Sequence, residues 1–189
     1  MLEMRGTVTA VYRSICLVDD PASDAAYPDV EVGAEDVDDY LPPPDPPEGF
    51  DLLTAAPGVV TVTTGAIRGQ VDLTIRVLDD EPSALAPGIW DAVEEIGFRA
   101  LSGYTMPASG EYYPFSADGS GVFPSSVTAK GPGFYRVRAY ERNRKLTMEV
   151  NREDNEPAAV ETYLLEIWAT DVEDEDRRRL RGPHPTLLR

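Results

Sequence analysis

A chain of 189 residues with a formal net charge of −17, a pI near 4.3 and one cysteine excludes several classes at once. It is long enough for one domain with a real core and too short for two of ordinary size. The acidity argues against nucleic acid or an anionic membrane surface as the ligand, because phosphate binding needs clustered cations, and a lone Cys16 excludes an internal disulfide framework and fits a reducing compartment.

In chain order, Met1 to Gly6 lacks an apolar h-region and no later run is long enough to span a bilayer, so a cytoplasmic, non-membrane protein is expected. From Gly6 to Val18 β-branched and aromatic residues dominate without an intervening Gly or Pro, which predicts one strand, apolar on both faces and central. Then the character changes. Between Arg13 and Arg68 there is no Lys or Arg, while residues 19–51 carry twelve Asp and Glu and seven Pro, which leaves only −5 of the charge for the rest. The stretch from Leu41 to Glu48 is too rich in Pro for helix or ladder and reads as an extended strut. Phe50, Leu52 and Leu53 after it are apolar enough to dock back, so this acidic arm is expected to be tethered at both ends.

Further strands are predicted at Val59–Thr64, Gln70–Leu78, Ala92–Leu101, near Tyr104, at Val122 and Phe123, and at Phe134–Arg142, Leu146–Val150 and Glu161–Ala169. Trp90 to Gly97 also fits a helical period, with strand preferred. Val71, Leu73, Ile75 and Val77 alternate with Asp72, Thr74 and Arg76, the pattern of a half-buried strand. The whole reads as an all-β protein, an antiparallel β-sandwich of jelly-roll kind with seven or eight strands, spanning residues 1–170 with the Pro-rich acidic insertion at 19–57. Residues 171–189, acids followed by arginines, read as a charged flexible tail.

Few residues suggest chemistry. With His184 the only histidine, a serine or cysteine nucleophile has no general base to work with, and Cys16 reads as a small core residue. Glu94 and Glu95 are adjacent on a strand and so face opposite sides, unable to flank one glycosidic bond. No catalytic residue, metal or cofactor is expected. Asp36, Asp38 and Asp39 lack the glycine and spacing of a calcium loop. Two readings of that cluster remain: a solvated loop, or an electrostatic decoy that fills a basic groove with carboxylates and Tyr40. Phe134, Arg136, Arg138, Tyr140 and Arg142 share a strand face in the manner of a nucleic-acid platform, yet cross-strand pairing of the arginines with Glu161 or Glu166 is the stronger expectation. Tyr104, Tyr112, Tyr113 and Phe115 are candidates for stacking on sugars or for capping a core.

The most specific pattern is Gly133-Phe-Tyr-Arg-Val-Arg-Ala-Tyr-Glu-Arg followed, after an acidic turn, by Glu161-Thr-Tyr-Leu-Leu-Glu-Ile-Trp168. It resembles the C-terminal hairpin of a group of mostly uncharacterised actinobacterial β-sandwich proteins, which in turn look distantly like the competence-protein-J nuclease inhibitors. The first strand resembles theirs too, with Tyr12 and Asp19 kept and Ser14 where the group tends to have Gln. The resemblance implies an acidic, non-enzymatic protein that neutralises a nuclease or toxin by binding it. The expectation is therefore an immunity-type inhibitor of a basic protein partner, with Asp29, Glu31, Glu35, Asp36, Asp38, Asp39 and Tyr40 laid across a cationic active site. The alternatives are a carbohydrate- or small-ligand-binding module and a scaffold whose arm docks on a sister chain.

Overall fold

The computed structural model describes residues 1–19, 51–110, 115, 126–128, 130–148 and 160–182. Its elements in chain order are β1 Leu2–Val11, β2 Ser14–Asp19, β3 Leu53–Ala56, β4 Val59–Thr63, β5 Arg68–Val77, β6 Ala92–Ala100, β7 Thr105–Ser109, β8 Gly133–Arg142, α1 Arg144–Met148, β9 Thr162–Thr170 and β10 Arg178–Arg181. The strands join in one sheet, ordered β10-β6-β8-β9-β5-β1-β2-β4-β3, with β7 paired to β2 off this path. The all-β expectation holds. Among the described residues the strand count is ten in place of seven or eight, and the sheet is mixed, because β9 runs parallel to β5 from Asp72 opposite Thr162 to Val77 opposite Ile167. A parallel pair needs a long crossover, and the chain between β5 and β9 supplies it through β6, β7 and β8.

The first predicted strand is in fact two. Tyr12 and Arg13 adopt φ of 52° and 57°, the left-handed geometry of a two-residue hairpin turn of type I′. That turn usually announces itself as Asn-Gly, which is why the run from Gly6 to Val18 reads as unbroken. Placing a residue with a Cβ there costs roughly 1–2 kcal/mol each. The cost is offset by a hydrogen-bonded brace: Arg13 N donates to Ile67 O at 3.0 Å, Thr64 N to Arg13 O at 2.7 Å, and Arg13 Nη1 to Gly65 O at 3.0 Å.

Beyond the turn β1 and β2 share only the pair Val11 and Ser14. β1 then pairs along β5, while β2 takes β4 on one side and β7 on the other, so the sheet bends at this hairpin. One apolar cluster gathers Ile15, Leu17, Val60 and Val62 from one limb with Leu73, Ile75, Phe98, Val137, Leu165 and Ile167 from the other. Each such side chain contributes about 1.5–3 kcal/mol on full burial. The predicted inner face of β5, from Val71 to Val77, is buried as expected, and Val137, Ala139, Leu165 and Ile167 share the inner face of β8 and β9.

Two local expectations change. Leu53–Ala56 is an additional strand, turned back into β4 by Pro57 and Gly58, whose φ of 76° fits the third position of a type II turn. Leu146–Val150 was expected as strand, but Arg144–Met148 is a short helix. Asn143, at φ 70°, turns the chain out of β8, and its side chain donates to Val160 O at 2.9 Å, so the direction of exit is fixed before Leu146 is reached. The pair Val122 and Phe123 lies outside the described residues. Among the described residues no helix is long and apolar enough to cross a membrane.

Candidate functional site

Asp29, Glu31, Glu35, Asp36, Asp38, Asp39 and Tyr40 lie outside the described residues; the two roots from which that insertion springs lie within them. The charge is unevenly spread along the chain. Residues 20–50 hold ten Asp and Glu and no Lys or Arg, so −10 of the net −17 lies in the insertion and −7 in all the other residues.

The N-terminal root is Asp19, the last residue of β2 and fully buried. Its Oδ2 accepts the amides of Leu101 at 2.5 Å and Ser102 at 3.2 Å, and its Oδ1 accepts the Thr105 hydroxyl. Thr105 Oγ1 in turn accepts the Thr128 hydroxyl at 3.2 Å. One carboxylate thus ties the start of the insertion to the turn between β6 and β7, with charge-assisted hydrogen bonds worth more than neutral ones.

The C-terminal root is held by Glu94, also buried. Its Oε2 accepts the amides of Leu52 at 2.9 Å and Leu53 at 3.2 Å, while Oε1 accepts Arg179 Nε at 3.0 Å and Nη2 at 2.6 Å. Arg179 also reaches Asp51 at 3.4 Å, and Arg177 pairs with Asp51 and donates to Leu53 O at 3.4 Å. Leu52 and Leu53 are fully buried, as the expected docking of this piece requires. Residues 178–181, which read as part of a charged tail, are β10 of the sheet, with Arg178 opposite Glu95 and Arg179 opposite Glu94. Arg179 is half-buried against the Glu94 carboxylate, while Arg178 and Arg181 stay exposed. The two end strands of the open sheet, β3 and β10, are thereby joined through side chains.

Glu95 points the other way, as adjacency on a strand demands, and serves a different cluster. Its Oε1 accepts Arg136 Nε at 2.7 Å and its Oε2 accepts Arg138 Nε at 2.8 Å. Arg136 and Arg138 are only 6% and 5% exposed. Arg136 also meets Asp174 at 3.0 Å, and the Arg138 guanidinium lies 5.1 Å from the Trp168 ring centre. The Asp176 amide first, and then Arg136 and Arg178, hold the Asp174 carboxyl below the usual range. These arginines are paired, as expected, but with Glu95 in place of Glu161 or Glu166. Glu166 instead accepts the Tyr140 hydroxyl at 2.6 Å and faces Arg76 at 3.6 Å. Glu161 accepts the amides of Gly65 and Ala66, both at 2.8 Å. Arg136 and Arg138 of that face are thus buried and paired within the fold, while Arg142 at its end is exposed.

Burial pushes the phenols of Tyr135, Tyr140 and Tyr163 up, with Glu166 adding to the effect at Tyr140 and Glu161 at Tyr163. The folded value exceeds the unfolded one, so the stability these groups contribute is whole below the ordinary phenol value of 10.0 and is lost as pH rises through the folded values. In an alkaline titration part of the tyrosinate absorbance should therefore appear only together with unfolding. Reversible titration of all nine tyrosines near 10 in the folded chain would contradict this placement.

No family model and no curated protein matches the chain. Among solved structures it is similar to Crocagin biosynthetic gene J, at 13% identity and a TM-score of 0.45, over 89% of this chain and 99% of that one. The resemblance of the first and last strands to the actinobacterial group rests on the quoted residues alone.

Of the remaining candidates, Tyr104 is exposed, Phe115 packs against the core, and Tyr112 and Tyr113 lie outside the described residues, as does His184. Cys16 is buried, and desolvation pushes its thiol up to about 12, which leaves it inert at neutral pH. Among the described residues no group of His, Cys, Asp and Glu is placed to hold a metal ion. Sequence reasoning missed Asp51, Glu94 and Arg179 as the anchors of the insertion. Asp19 carried a signal, since it belongs to the motif of the first strand.

Proposed function

We propose that this is an acidic binding protein whose insertion engages a cationic protein partner, most specifically a nuclease or toxin whose active site it occludes. The observation that carries the reading is the concentration of charge, −10 within residues 20–50, which contain no Lys or Arg, against −7 in the rest of the chain. Both roots of the insertion are clamped by buried carboxylates, Asp19 and Glu94, which is what a presented loop needs. The side chains assigned to the contact are Asp29, Glu31, Glu35, Asp36, Asp38, Asp39 and Tyr40. Carboxylates speed the encounter and an aromatic adds affinity. The resemblance to the competence-protein-J inhibitors points the same way, as does a sandwich reading of the bent sheet. A single buried thiol suits a reducing cytoplasm. A second reading, a sugar-binding module, is favoured only by the exposure of Tyr104.

The test is capture of a partner from host lysate at low salt and its release by a salt step, followed by kinetics with the purified pair. Reversing Asp36, Asp38 and Asp39 to Lys should slow association about tenfold or more, the scale of electrostatic steering, and added salt should mimic it. An on-rate that is unchanged in the triple variant returns the insertion to a solubilising loop.

A further inference from the structure

Residues 171–182 run along the edge of β6 and touch both of its faces. On one face the strap 171–177 lies over Gly97, where a Cβ would sit 1.7 Å from Asp174 O. Arg136 seats it there, Nη1 donating to the Asp174 carboxylate at 3.0 Å and Nη2 to Asp176 O at 3.2 Å. On the other face Arg179 closes on Glu94, and Arg177 on Asp51, at the C-terminal root of the insertion. Gly182, at φ 112°, ends the arm against Ala92 and Asp91.

Little apolar contact holds this arm. Of its twelve residues only Asp174 and Arg179 are less than exposed, and Val172 and Leu180 are 61% and 40% exposed. Its ladder to β6 is three pairs long and slips between Arg179 and Arg181. A segment that rests on polar seats and buries so little opens locally, far below the free energy of global unfolding. Opening has a consequence at the root. Without Arg179 the buried Glu94 loses its counter-charge among the described residues, and a buried charge without one is costly, so its hold on the Leu52 and Leu53 amides loosens too.

We propose that residues 171–182 are an autoinhibitory latch, one unit with two seats, whose arginines cover Asp51 and Glu94 and which a cationic segment must displace to reach those carboxylates. The latch itself needs nothing from the insertion; its displacement rests on the cationic partner proposed above. The arm is an internal occupant of the same chemistry as that partner, and a partner confined to the opened state binds with an affinity reduced by the fraction open.

Hydrogen exchange of the full chain, read by NMR, tests the coupling. Asp174 bonds to Arg136, Arg178 and the Asp176 amide, all away from the root. Asp174→Ala should nevertheless speed exchange about tenfold at Arg178 and Arg179, and by a similar factor at Leu52 and Leu53, the scale of a lost charged hydrogen bond. Gly97→Ala, which lifts the strap without changing any charge, should give the same pattern, and slow exchange in the pairs between β8 and β9 should show both variants folded. Hexalysine, titrated at constant ionic strength, should bind about threefold tighter or more in both variants, although Asp174→Ala removes no positive charge and one negative charge. Acceleration confined to residues 174–181 in both variants makes the seats independent and overturns the latch. Coupled exchange with hexalysine no tighter in Gly97→Ala, and weaker in Asp174→Ala as the lost charge alone dictates, overturns the displacement. Hexalysine that binds none of the three chains sinks the cationic reading of the insertion and the displacement with it, an outcome that the exchange data tell apart from failure of the latch.

Discussion

Glu95→Ala should cost about 3–5 kcal/mol, the range for removing one partner of a buried ion pair. Two arginines depend on this one carboxylate. Arg136 keeps Asp174 at 3.0 Å and the carbonyls of Asp174 and Asp176, at 3.3 Å and 3.2 Å. Arg138 keeps a side-chain hydrogen bond with Tyr140, a long bond to Pro82 O at 3.4 Å and a distant, exposed Glu81 at 3.8 Å, so its charge is left without a close carboxylate beneath Trp168. Glu95→Gln, which preserves shape and one acceptor, should cost about half as much. The triple change Glu95→Leu, Arg136→Met, Arg138→Leu should recover most of the loss, because a buried pair contributes little beyond an apolar replacement of equal volume. Urea unfolding of the three variants decides the matter. A loss below about 1 kcal/mol in Glu95→Ala would mean that water reaches the arginines, and that this face of the sheet is ordered by Trp168 and Tyr140 instead.

Strand faces were legible where the period was clean. Val71 to Val77 alternates without a break, and that alone places Asp72, Thr74 and Arg76 outward; Glu94 and Glu95 are split to opposite faces by the same rule. Neighbours were not legible, because a period fixes which face a residue takes and not which strand lies beside it. Arg136 and Arg138 were therefore correctly paired in kind and misassigned in partner, Glu95 being no less available in the sequence than Glu161 or Glu166. The break at Tyr12 was hidden by the absence of Gly or Asn, since the brace that makes the turn affordable comes from residues some fifty positions on, with Arg13 bonded to Gly65. β10 was hidden for a similar reason. A run of arginines reads as solvated unless its carboxylates are known, and those of Arg179 are 85 and 128 positions away in the chain.

Glu94→Ala should open the C-terminal root of the insertion and lower stability by about 3–5 kcal/mol, since each buried donor left without an acceptor costs about 1–3 kcal/mol. Four bonds are lost together: the amides of Leu52 and Leu53, which have no water to turn to, and the two from Arg179. Because β10 is four residues long and its register slips between Arg179 and Arg181, it depends on that side-chain tie more than on its ladder. Hydrogen exchange should therefore accelerate at Leu52, Leu53 and β10 while the pairs between β8 and β9 stay protected, a local opening distinct from global unfolding. Asp51→Asn should do much less, since among the described residues Asp51 holds the two arginines and no backbone amide. If the insertion acts by being held out from fixed roots, Glu94→Ala should also weaken capture of a cationic partner with every carboxylate of residues 20–50 intact, which neither a solubilising loop nor a purely diffuse attraction would do. Unchanged exchange at Leu52 and Leu53 would show that burial of the two leucines, and not Glu94, fixes the root.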